Sequence, residues 1–202
     1  MNYEALYERI LRRVGHGAYL AYADAVPAAQ QAPMAELGAY IQSPGFSPET
    51  ARDLARRFHA DGRIDRIMYL SALQVIAMSP AVKDYAEAAR LLAEKELAAI
   101  TAGGADLQIH LASVDRHRGA IAFLNGSYDV ALDYFSRAFE RQRSAGNLGN
   151  VLAALIRLGD TEEARSLLGR IRSGLPSSIV EALDSMILID PDLALLRTET
   201  SQ

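Results

Sequence analysis

Between Gly119 and Pro176 the chain repeats itself at a fixed interval. Gly126, Ala131, Phe135 and Ala138 recur as Gly159, Ala164, Leu168 and Ile171, each 33 positions later. A constant period of this size marks a helical repeat, in which each helix pair buries its apolar face against the next pair. The period constrains the fold more than any other feature here, because a single pair has too little core to stand alone.

Composition agrees with a helical array. Half of the 202 residues are hydrophobic and 23% are charged, which argues against global disorder. Leu and Ala dominate and aromatics are few, a mix that suits closely packed helices. The 21 basic and 25 acidic residues leave a net charge of −4, without the basic field that non-specific nucleic-acid binding needs. There is no cysteine, so disulfides and thiolate zinc sites are excluded. The N-terminal stretch is charged throughout with no signal-peptide apolar core, and no run approaches the ~18–20 apolar residues of a membrane span. These features set the expectation of a cytoplasmic protein with no membrane partner.

Residues 3–14 place Leu6, Ile10, Leu11 and Val14 on one side and Glu4, Glu8, Arg9, Arg12 and Arg13 elsewhere, the pattern of an amphipathic helix. A weaker helix is expected from Ala18 to Ala25. Residues 27–48 hold four prolines and read as the least regular part, with a short helix around Met34 to Ile41. Five of the nine tyrosines fall in residues 3–40 and fit either buried packing or a partner interface. Ser47, Pro48 and Glu49 make a strong helix start, with a capping hydroxyl, proline at the first position and an acid in the first turn. That helix runs to about Ala60. The next, Ile64 to Met78, is mostly apolar and must be buried. Residues 84–101 form another, stopped by Gly103 and Gly104, and a long helix is expected from Ala105 to Leu124. After Pro176, Ser177 or Ser178 caps a final helix with Ile179, Leu183, Met186 and Ile187 on its buried side, and Asp190 and Pro191 start a short turn. No β-branched alternation lasts four residues, so no strand is expected.

The repeated stretch resembles the tetratricopeptide repeat, a helix-pair family of period 34. Gly119 takes the glycine place of the first helix. Ala131, Phe135 and Ala138 match the small, aromatic and small places of the second, and Ala164, Leu168 and Ile171 take them in the following unit. Pro176 stands at the closing proline. The tryptophan place holds Asp115 and then Leu148, the second glycine place holds Leu152, and the tyrosine places hold Ala122 and Leu155. The likeness is good over 105–176, thin over 63–104 and absent over 1–60. It implies an all-α protein in which antiparallel helix pairs form a short superhelical array behind an irregular helical N-terminal region. The divisions it implies are 1–62 for the N-terminal helices, 63–176 for the repeats, and 177–202 for a capping helix and tail. In the family, ligands lie against the first helix of each unit. Carried over, this implies a groove lined by Arg116, Ala120, Phe123 and Leu124, then Asn150, Ala153 and Arg157, suited to a peptide or helix with an acidic group. Ala120 replaces the asparagine of the family's carboxylate clamp, so chaperone C-termini are not expected ligands.

Catalytic and metal chemistry find little support in the spacing. His110 and His117 share a helix face with Asp106 one turn before, but no third or fourth ligand converges. No phosphate loop, nucleophile elbow or His-Glu-x-x-His zinc motif is present. A helix-turn-helix over Ala51–Leu70 would offer Arg52, Arg56, Arg57, Arg63 and Arg66 to phosphates, yet its second helix is too apolar for a groove. The expectation is therefore a non-catalytic interaction module, an adaptor, assembly factor or regulatory subunit, with no metal or cofactor. Its partner is another protein or peptide rather than nucleic acid, and the tyrosine-rich N-terminus is a candidate homodimer surface. The alternative is a peptide- or ligand-responsive sensor or transcription-associated regulator.

Overall fold

A computed structural model describes residues 28–197, and over these the chain is all helix. The nine α-helices are α1 (Ala28–Ile41), α2 (Pro48–Ala60), α3 (Arg66–Met78), α4 (Tyr85–Ala102), α5 (Leu107–Leu124), α6 (Tyr128–Arg141), α7 (Ala145–Leu158), α8 (Thr161–Arg172) and α9 (Ser177–Ile189). A 3-10 helix, Pro191–Leu196, follows. The helices expected at 3–14 and 18–25, the tyrosines before residue 28 and the tail from 198 lie outside the described residues.

Local chemistry sets most of the ends. The Ser47 hydroxyl accepts from the Thr50 amide with Pro48 as the first helical residue of α2. Asp65 and Asp84 cap α3 and α4 the same way, accepting from the Met68 and Glu87 amides at 2.8 and 2.9 Å. Gly159 closes α7 in the left-handed conformation at φ 91°, which costs a glycine nothing. Two ends differ from expectation. Pro176, rather than either serine, occupies the N-cap of α9, and no side-chain cap bond forms there. The stretch after Pro27 is a full 14-residue helix with Pro33 inside it. That proline removes one backbone hydrogen bond. Burial of Met34 and Leu37 one and four residues later offsets the loss.

Consecutive helices pack on one another in chain order: α2 on α3, α3 on α4, α4 on α5, α5 on α6 and α6 on α7. The 3-10 helix and α9 then close on α7. Two core clusters result. One joins Met34, Leu37, Ala51, Phe58, Ile64, Ile67, Met68, Ala72, Ile76 and Ala99. The other runs from Leu70, Ala77 and Met78 through Phe123, Phe135, Leu148 and Leu152 to Leu183 and Leu193. Helix α3 feeds both, which explains its nearly continuous apolar sequence. Residue 62 therefore marks a turn within the first cluster, with Phe58 and Ile64 packed on either side of it.

Repeat landmarks meet where α5 crosses α6. A Cβ built on Gly119 would stand 2.6 Å from the Phe135 ring, so glycine is what lets that ring lie against α5. Ala131 and Ala138, one turn to either side of Phe135, are fully buried. In the next unit a Cβ on Gly149 would stand 2.6 Å from Met186 Sδ, so α9 approaches α7 through a glycine as well.

Candidate functional site

Five of the seven residues implied as a groove lie inside the molecule, and Leu124 and Arg157 are part-exposed. Arg116 is 4% exposed, Phe123 and Asn150 are 1%, and Ala120 and Ala153 are fully buried. Arg157 is part-exposed and ion-paired to Asp192, whose carboxylate is buried at the start of the 3-10 helix. Arg116 reaches from α5 to Asn147 Oδ1 on α7 at 3.5 Å. The structure thus brings Arg116, Asn147 and their neighbours together across the α5–α7 seam. A peptide cannot touch these side chains without displacing what covers them.

A second polar group sits between α4 and α5. Lys95, fully buried, donates from Nζ to Ser113 Oγ at 2.9 Å. His117 lies one turn on, its Nδ1 2.7 Å from the Ser113 carbonyl oxygen. A carbonyl only accepts, so Nδ1 carries the proton and donates it. Burial pushes the His117 pKa well down, and the charges of Lys95 and Arg116 push the same way. His110 is shifted in that direction by burial and then by Lys95, with Asp106 and Asp65 opposing. A lysine, a serine and a histidine in sequence resemble the parts of an activated nucleophile. Here Ser113 is 1% exposed and Lys95 fully buried, so no substrate carbonyl reaches the hydroxyl. The arrangement joins two helices, and the Ser113 carbonyl bond opposes the downward shift that burial imposes on His117.

Charges elsewhere on α5 are also absorbed by neighbours. Asp115 accepts from Arg141 of α6 at 2.9 Å, and Arg118 pairs with Glu96 of α4 at 2.8 Å. No group of three or more His, Asp or Glu side chains suited to a metal ion occurs among the described residues. Helix α3, which a helix-turn-helix would lay in a DNA groove, is buried at Ile67, Met68, Leu70 to Ala72, Gln74 and Ile76 to Met78.

An open concavity lies elsewhere, between the start of α3 and the last two turns of α4. Asp65, Arg66, Ile67, Glu94, Leu97, Ala98, Thr101 and Ala102 line a cavity of about 460 Å³. Leu97 is 66% exposed and Ile100, three residues on, is 55% exposed. The floor is Ile67 and Ala98; the rim carries Asp65, Thr101 and an Arg66–Glu94 pair at 3.7 Å. Two large aliphatic side chains side by side in water are costly for a folded chain to keep, since covering them recovers roughly 25 cal/mol per Å². Sequence reading passed over this site because Leu97 and Ile100 look like ordinary members of an apolar helix. Only the packing of Leu91, Leu92 and Ala99 on the core leaves them outside.

No helix of the described residues is long and apolar enough to cross a membrane. Comparison with models of protein families, with curated proteins and with solved structures finds no match to this chain.

Proposed function

We propose that the chain is a non-catalytic protein–protein interaction module, an adaptor or regulatory subunit built as a short tetratricopeptide-like array. The array reading draws support from the Gly119–Phe135 contact with Ala131 and Ala138 buried beside it, since these are the places where the repeat pattern demands close approach. The interaction reading is carried by one observation, the exposed Leu97 and Ile100 beside the α3/α4 groove. A mostly apolar concavity with a few polar rim groups suits the apolar side of a partner helix or an extended segment. The sealed Lys95–Ser113–His117 group gives catalysis no comparable opening.

The test is a pulldown with the tagged full-length chain, run beside the Leu97→Asp/Ile100→Asp double variant. Both positions are exposed, so the variant is expected to fold with an unchanged circular dichroism spectrum. A protein retained by the wild type should be lost from the variant. Equal retention by both would remove the groove as the working surface. A wild type that retains nothing at physiological salt would count against an interaction module altogether.

A further inference from the structure

We infer that α4 pairs antiparallel with α4 of a second copy, through its outer face beside the α3/α4 groove. The inference rests on reading Leu97 and Ile100 as a docking surface, and it names the helix that covers them. Helix α4 packs against α3 and α5, burying Ala88, Leu91, Leu92, Lys95 and Ala99. On its other side Ala86, Ala89, Ala93, Leu97 and Ile100 are all exposed. Successive spacings of three, four, four and three residues keep them on one line of the helix. The stripe is about 21 Å long. A surface helix ordinarily turns polar residues to this side; here the line is apolar from end to end.

What selects a second copy is the symmetry of the stripe. Ala86 and Ile100 stand seven residues to either side of Ala93, and Ala89 and Leu97 stand four. One end is small and the other large. A copy turned about a two-fold axis at Ala93 lays Leu97 over Ala89 and Ile100 over Ala86, at both ends at once. Large then meets small throughout, and Ala93 lets the two helices approach closely. A parallel copy would set alanine on alanine and leave a gap at that end. A two-fold contact uses the same patch on both copies, so it closes at the dimer. Charge agrees with the antiparallel sense. Along one edge Arg90 pairs with Glu94 of its own helix. The two-fold sets the two pairs side by side in opposite directions, so each arginine also faces the other copy's Glu94. On the other edge Glu96 is held by Arg118 of α5 at 2.8 Å. The contact is small: a helix face of about 21 Å by 10 Å falls well short of the ~800 Å² that each partner brings to a stable complex. The dimer is therefore reversible, with a dissociation constant on the order of 100 μM.

Sedimentation of the purified full-length chain from about 10 μM to about 1 mM brackets a contact of this size. The wild type should pass from monomer to dimer over that range, and Leu97→Asp/Ile100→Asp should stay monomeric. The chain has no cysteine, so a single introduced one reports the pairing without background. Helices packed ~10 Å apart leave facing Cα atoms at the axis about 5 Å from each other, which suits a disulfide. The two copies of residue 86 lie about 21 Å apart along the helices. Under oxidised glutathione, Ala93→Cys should therefore form a covalent dimer at least about tenfold faster than Ala86→Cys. A wild type that remains monomeric throughout would overturn the inference, as would a dimer that survives the double aspartate variant. Equal rates for the two cysteine variants would also overturn it, since only the antiparallel two-fold separates them. A monomer that still captures another protein in the pulldown would sink this inference and leave the proposed function standing, so the two fail separately.

Discussion

At the scale of single residues, two glycines make opposite predictions. A methyl at Gly119 meets the Phe135 ring, which is itself buried and cannot swing away. Gly119→Ala should therefore lose about 1–3 kcal/mol to overpacking, more than the roughly 0.5–1 kcal/mol that alanine gains in a helix. Gly169 is exposed on α8 with nothing within 4 Å of a built Cβ. Gly169→Ala should stabilise by about 0.5–1 kcal/mol. Urea unfolding of the two variants checks both signs, and a neutral Gly119→Ala would mean that the α5/α6 contact is looser than described. His117 gives a pH prediction. Its folded pKa is depressed, so between that value and the ordinary histidine range the unfolded chain binds the extra proton. Stability then rises with pH, by up to about 1.4 kcal/mol per unit for this one group, and is lost as pH falls below about 6.5. His110 adds in the same direction. Glu87, whose carboxyl is held low by its hydrogen bond to Arg90, loses its contribution only in a more acidic window. Unfolding free energies measured from pH 7.5 to 5 should fall in the wild type and fall less steeply in His117→Gln.

At the scale of elements, the α6–α7 corner depends on one buried amide. Asn147 Nδ2 donates to the Ala138 carbonyl at 3.2 Å and to the Gln142 carbonyl at 2.8 Å. Its own backbone amide donates to the Ser144 hydroxyl at 3.2 Å. The side chain thus ties the end of α6 to the start of α7. Asn147→Ala removes both of these bonds together with the longer one that Oδ1 accepts from Arg116, and should cost about 2 kcal/mol or more, whereas the cap variant Ser144→Ala should cost about 1 kcal/mol. Thermal melts of the two would rank them, and the reverse order would refute this account of the corner. Helix identity and ends were legible in the sequence where a cap or a stop is local chemistry, as at Ser47 and Gly103. The interior of α5 was not. Asp115, Arg116, His117 and Arg118 are four consecutive polar residues in the middle of the helix. Three of the four are nonetheless buried, because Arg141 and Asn147 arrive from later in the chain and Ser113 from one turn back. Such partners depend on tertiary approach, which no local spacing announces. The same reasoning explains why the repeat resemblance pointed to Arg116 and Asn150 as a groove, while the exposed pair on α4 carried no motif at all.

At the scale of the whole molecule, the question is whether the two core clusters unfold together. Helix α3 presents Ile67, Met68, Ala72 and Ile76 to one and Leu70, Ala77 and Met78 to the other. A helix cannot keep one face folded while its backbone melts for the other, so α3 couples the clusters. The C-terminal closure lies far from α3 in the order of packing. Leu193 on the 3-10 helix is fully buried against the second cluster, and Asp192 beside it pairs with Arg157 of α7. Leu193→Ala should cost about 2–5 kcal/mol, as large-to-small changes in a packed core do. If the clusters are one cooperative unit, amide exchange at Leu37 and Phe58 in the first cluster should accelerate by the same factor as at Leu152 in the second. If stacked helices respond only to their neighbours, as in long repeat arrays, the acceleration should be confined to α7, α8 and α9 and leave α1 and α2 untouched. The coupling through α3 favours the first outcome. Exchange at Leu37 unchanged by Leu193→Ala would show instead that the chain behaves as two units sharing one helix, and would move the stability of the α3/α4 groove under the control of α1 and α2 alone.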